Sequence, residues 1–124
     1  HIESLPTRDK IRSFKISLID AKRGTVAHCT ISKHKKEESW NMGDTRTKIR
    51  GIGKLLYYSA MNFIYPEYLG ADMCGCSNKA IRLWQTLEKV DYVDYYFADV
   101  PHWELNEAEN DNYSSIRCRF AWYK

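Results

Sequence analysis

Two runs near the start of the chain alternate apolar and polar side chains. In residues 13–20, Phe14, Ile16 and Leu18 alternate with Lys15 and Ser17, and in residues 25–32, Ala27, Cys29 and Ile31 alternate with His28 and Thr30. A period of two sends each set to one face of a strand, so both runs are expected to be half-buried strands. Lys22-Arg23-Gly24 between them reads as a hairpin turn. Lys33 to Glu38 is a charged connection, after which Ser39-Trp40-Asn41-Met42 is expected to open a third strand ending near Asp44.

From Ile52 the period changes. Ile52, Leu55, Leu56, Ser59, Ala60, Phe63 and Ile64 fill one stripe of an amphipathic helix, which Pro66 stops. Tyr68 to Cys74 is short and mostly apolar, and Gly75-Cys76-Ser77-Asn78 supplies a turn and N-cap residues for a second helix. Ala80, Leu83, Trp84 and Leu87 would be the buried face of that helix. Tyr92 to Val100 returns to an aromatic strand pattern, and Ile116, Cys118, Phe120 and Trp122 alternate with Arg117 and Arg119 as a last strand. The polar, acidic stretch from Pro101 to Ser115 reads as a long loop.

The expected order is therefore β-β-β-α-β-α-β-β. It predicts an α+β fold with a single mixed sheet, antiparallel at both ends, and a central β-α-β crossover flanked by helices. A crossover makes its two strands parallel, and its helix starts where a ligand can meet the carboxyl end of the preceding strand.

Composition narrows this little further. The 124 residues are 44% hydrophobic and 28% charged, which predicts one globular domain over 1–124. A net charge of +3, from 19 basic and 16 acidic residues, argues against a nucleic-acid partner. No apolar run approaches the roughly 20 residues a bilayer requires, and no leader pattern opens the chain, so a cytoplasmic protein without a membrane partner is expected. The chain begins at His1 instead of Met, which predicts numbering that starts inside a longer chain.

Cys29, Cys74, Cys76 and Cys118 read as reduced and buried. On a strand, the C-x-C pair of Cys74 and Cys76 would hold its Cα atoms about 7 Å apart, too far for an unstrained bridge. Combined with His28, His34 or His102, these cysteines lack zinc-ligand spacing, so no metal is expected.

The segment Lys48-Ile49-Arg50-Gly51-Ile52-Gly53-Lys54 lies between the third strand and the first helix. Two glycines in a G-x-G turn leave backbone N–H groups able to point at a diphosphate from the positive end of a helix dipole. Lys48, Arg50 and Lys54 add cations at the same point. The segment lacks the Walker A pattern and the third glycine of a dinucleotide fingerprint.

Lys48 to Gly53 resembles the [R/Q]-x-x-G-x-[G/A] pyrophosphate loop of the GNAT superfamily of N-acetyltransferases, with Lys in the first place. Ser77 to Leu87 is similar to the second signature of that family, an N-x-x-A-x-x-L-Y-type helix. The two motifs fall in the family's order, and the resemblance covers roughly residues 13–100. It implies transfer of an acetyl group from acetyl-CoA, the co-substrate, to an amine of a protein or small molecule. It implies that the N–H groups of Arg50, Gly51, Ile52 and Gly53 hold the diphosphate. By the same resemblance the strand edge at Met42, Gly43 and Asp44 pairs with the pantetheine arm, and Asn78 bonds that arm from the other side.

The chain also departs from the family. The usual Tyr of the second motif is Trp84, which has no hydroxyl to protonate a thiolate, so the acid falls among Tyr57, Tyr58, Tyr92, Tyr95 and Tyr96. For the base, Glu38 is the first positional choice and Asp44 the second. The closing G-F pair of the second motif is replaced by Glu88-Lys89-Val90-Asp91. Two helices that precede the hairpin in the family have no counterpart, which leaves an open acceptor pocket or one completed by an upstream domain or partner. Glu104, Glu107, Glu109 and Asp111 would attract a cationic acceptor. The competing expectation is a degenerate module that binds CoA or a protein partner without turnover.

Overall fold

The computed structural model describes residues 1–71, 78–98 and 115–121, with residues 78 and 79 described by backbone alone. The strands are β1 (Ile2–Arg8), β2 (Ile11–Asp20), β3 (Gly24–His34), β4 (Ser39–Thr47), β5 (Tyr68–Gly70), β6 (Val93–Phe97) and β7 (Ile116–Phe120). Helix α1 (Gly53–Ile64) joins β4 to β5, and α2 (Asn78–Glu88) lies between β5 and β6. The strands form one mixed sheet in the order β1-β2-β3-β4-β5-β7-β6, so the fold is α+β. Among the described residues only β4 and β5 pair in parallel, as their helical crossover requires.

Three expectations are corrected. A strand precedes the hairpin: β1 pairs with β2 from Ile2↔Ile16 to Arg8↔Ile11. Its run carries Pro6 and no clean alternation, which an edge strand exposed at nearly every position tolerates. The charged connection is shorter than expected, since Lys33 and His34 belong to β3, and β4 runs past Asp44 to Thr47. The buried stripe of α1 is Leu56, Tyr57, Ala60, Met61 and Ile64, leaving Leu55 and Phe63 exposed.

The hairpin turn falls where expected. The Asp20 carboxylate accepts the N–H groups of Lys22 and Arg23, and Gly24 takes φ +73° to re-enter the sheet. Both helices cover one face. There Ile16, Ile31, Trp40, Met42, Leu69 and Cys118 meet Leu56, Met61, Trp84 and Leu87 in one core. Trp84 is 1% exposed and edge-on to Tyr57 at 4.9 Å, which locks α2 beside α1.

Cys29 and Cys118 are free and buried, with thiols pushed up to about 12 by desolvation. Cys74 and Cys76, the N-cap turn before α2, the acidic loop from Pro101 and Trp122 lie outside the described residues. Among the described residues, no helix is long and apolar enough to cross a membrane.

Candidate functional site

The site begins where two strands part. β4 pairs with β5 through Ser39↔Tyr68, Trp40↔Leu69 and Asn41↔Gly70, and the described pairing ends there. On its other edge β4 stays joined to β3 as far as Ala27↔Thr47. Between the pairs Thr30↔Gly43 and His28↔Arg46, two residues of β4, Asp44 and Thr45, lie opposite one of β3, Cys29. This one-residue bulge puts Asp44 at φ +47° and turns the strand as it leaves β5.

The gap opens into a cleft of about 1230 Å³. Its floor is apolar, from Met42, Tyr57, Ala71, Leu83 and Trp84. Among the described residues its rim carries Arg46, Lys48, Arg50, Lys54 and Arg82 against a single carboxylate, Asp44. Asp44 stands 3.6 Å from Arg46 Nε, both largely exposed. The cleft is therefore cationic where it meets solvent.

Helix α1 ends at this rim. Ile52 caps it without a side-chain hydrogen bond, and no acidic residue sits in its first turn. Its leading N–H groups and positive dipole end thus face the cleft without a built-in anion. Lys48 N donates to Val26 O at 2.7 Å, which ties the loop back to β3. Gly51 has φ +84°, a conformation that favours glycine. Gly53 is different, because a Cβ there would meet only ordinary contacts with Leu83 and Thr47.

Met42, Gly43, Asp44, Lys48, Ile49, Arg50, Gly51, Gly53, Lys54 and Trp84, each expected from sequence, line this one cleft. Ile52 packs against the core instead of lining it. Asn78 opens α2, and its side chain lies outside the described residues. Glu38 is exposed before β4 and does not line the cleft. Among the five tyrosines considered for the acid, only Tyr57 lines it. Tyr58 bonds to Tyr92 and packs near Phe120, and burial, followed by that bond, raises its pKa.

The neighbour of Glu38 went unnoticed in the sequence. Glu37 accepts His34 N at 3.1 Å with one oxygen and Asn41 Nδ2 at 2.8 Å with the other. Its carboxylate is thereby held at the last rung before β4 and β5 separate. Arg117, expected on an exposed face, is buried and lies over Gly70. Burial lowers its pKa, with Tyr96, Glu37 and Cys118 acting in the opposite sense.

Among the described residues, no three His, Cys, Asp or Glu side chains gather as a metal ion would need. Compared with protein-family models, with curated proteins and with solved structures, the chain matches none.

Proposed function

We propose that this chain is an acetyl-CoA-dependent N-acetyltransferase with a GNAT-like fold. One observation carries the reading: beyond Asn41 the edge of β4 has no strand partner among the described residues, and it lies beside a helix N-terminus without a side-chain cap, inside a cleft with a basic rim and an apolar floor. CoA needs those features together. Its diphosphate takes backbone N–H groups and cations, and its pantetheine amides take a strand edge. The single mixed sheet with a central crossover is further support.

In this reading the N–H groups from Arg50 to Gly53 hold the diphosphate, with Lys48 and Lys54 beside it. The arm runs along Met42, Gly43 and Asp44, faces Asn78 across the gap and rests against Trp84. A neutral amine attacks the thioester carbon, the C–S bond breaks, and CoA leaves as a thiolate. Glu37 takes the amine proton, ahead of Glu38, on the strength of its hydrogen bond to Asn41 beside the gap; neither of these two side chains lines the cleft, and Asp44, which does, is the second choice. Tyr57 returns a proton to the thiolate from the cleft floor. The acceptor is an amine of a protein or small molecule.

A module that binds CoA without turnover is the second reading. Trp84 favours it, since it puts an indole where the family motif has a phenol.

Thermal melting with and without acetyl-CoA tests the cofactor half. Saturating acetyl-CoA should raise the melting temperature, and Gly51→Glu should abolish that shift by setting a carboxylate where the diphosphate lies. No shift for the unsubstituted chain would falsify both readings. Release of CoA thiol with amines then separates the enzyme from the silent module.

A further inference from the structure

The basic rim of the cleft is divided between two walls. Lys48, Arg50 and Lys54 come from the turn before α1 and from its first residues, whereas Arg82 comes from α2. The walls touch: a Cβ at Gly53 would meet Leu83 Cδ1 at 3.5 Å, which sets the residue next to Arg82 against the first residue of α1. Arg82 thus stands beside the helix N-terminus on the side away from the turn.

The rim cations differ in what already holds them. Arg46 has Asp44 at 3.6 Å from its Nε, so its charge is largely met. Arg82 is exposed, lines the cleft and makes no ion pair among the described residues. Thr86, one turn on along the same wall, donates its hydroxyl to Arg82 O at 2.9 Å, which leaves the guanidinium fork open to the cleft.

CoA carries two kinds of anion. The diphosphate bears a single charge on each phosphorus and is met by the N–H groups of the turn with Lys48, Arg50 and Lys54. The 3′-phosphate is a monoester with roughly two negative charges at neutral pH, and it sits on the same ribose as the diphosphate. It therefore has to lie within the reach of that one sugar from the α1 N-terminus. A guanidinium matches a phosphate monoester through two parallel N–H···O bonds and keeps its charge at any working pH. We infer that Arg82 receives the 3′-phosphate, so that the donor this chain selects is the 3′-phosphorylated acyl-CoA and not a thioester of 3′-dephospho-CoA or of pantetheine. This rests on the cofactor reading above and deepens it. No bond is made or broken at Arg82; its part is to hold the nucleotide end while the arm lies along β4.

Calorimetric titration with CoA and with 3′-dephospho-CoA tests it, since the two share the diphosphate and the arm and differ only in the monoester. CoA should bind on the order of tenfold tighter, the scale of a charge-assisted bidentate contact at an exposed site. Arg82→Gln should bring CoA down to the affinity of dephospho-CoA with little change for the latter, and Arg82→Lys should keep part of the preference. Arg, Lys and Gln are comparable helix formers, so these exposed substitutions leave α2 intact. On the unsubstituted chain the preference should also shrink below about pH 6, where the monoester takes up its second proton. Equal affinities, a preference that survives Arg82→Gln, an equal weakening of both ligands by Arg82→Gln, or a ratio indifferent to pH would each overturn the inference and leave the cofactor reading standing. Binding of neither ligand to the unsubstituted chain would overturn both.

Discussion

Among the described residues, β2 and β3 are joined at ten paired positions, from Ile11↔His34 to Asp20↔Gly24, whereas β4 and β5 are joined at three. Both pairs belong to the same sheet and share the same helix-covered core, so the difference is not one of burial. A continuous ladder satisfies its own backbone groups and has nothing to offer a ligand. A pair that parts leaves N–H and C=O groups in want of partners, and a bound molecule can supply them. In this chain the long pair is scaffold and the short pair borders the candidate site.

The largest effect should come from the carboxylate at the point of parting. Glu37→Gln is expected to lower kcat/KM by about 100- to 10,000-fold, the range for a lost general base, with the melting shift by acetyl-CoA intact. The same loss from Glu38→Gln, with Glu37→Gln silent, would move the chemistry out to the exposed position. Trp84→Ala attacks the cleft from behind. Removing a side chain 1% exposed should cost about 3–5 kcal/mol in denaturant unfolding and weaken cofactor binding as the floor collapses. A loss below about 1 kcal/mol would show that α2 is not part of the core.

Gly70→Ala probes the last rung. The new methyl would drive Arg117 from its place, for about 1–3 kcal/mol of overpacking, whereas the same change at Gly53 meets only ordinary contacts. Equal stability of the two variants would contradict the position of Arg117.

The smallest effect belongs to the joined side. Glu67 receives a hydrogen bond from Lys33, which with the charges of Lys33 and Arg12 holds its carboxyl below the ordinary 4.5. A pKa depressed by folding stabilises the fold above 4.5 and is lost as pH falls through the lower folded value. With both side chains partly solvated, the loss in acid titration should stay under about 1 kcal/mol. Lys33→Met should remove this part of the acid sensitivity and leave the cleft unaffected.

Legibility in the sequence follows the same division. Period-two runs and the Lys22-Arg23-Gly24 turn made β2 and β3 readable, because contacts close in sequence carry that information. The place of the basic G-x-G segment, between β4 and α1, was readable because a strand period before it and a helix period after it bracket the turn. The buried stripe of α1 was read as Leu55 and Phe63 instead of Tyr57 and Met61, since adjacent stripes are equally apolar and the choice is made by Trp84 and the sheet. Glu37 was passed over for Glu38, because its hold on His34 and Asn41 depends on the shape of the turn before β4, which no local pattern shows. The meeting of Gly70 with Arg117 depends on β7 being inserted beside β5, a matter of strand order that no local pattern encodes.

The two buried cysteines bear on how this protein can be watched. Cys29 and Cys118 have no exposed surface, and their thiols remain protonated far above neutral pH. A thiol reagent that counts released CoA should therefore find both positions silent while the sheet is closed. Slow labelling at these two sulfurs would be a clock for opening of the fold, readable in the same cuvette as turnover.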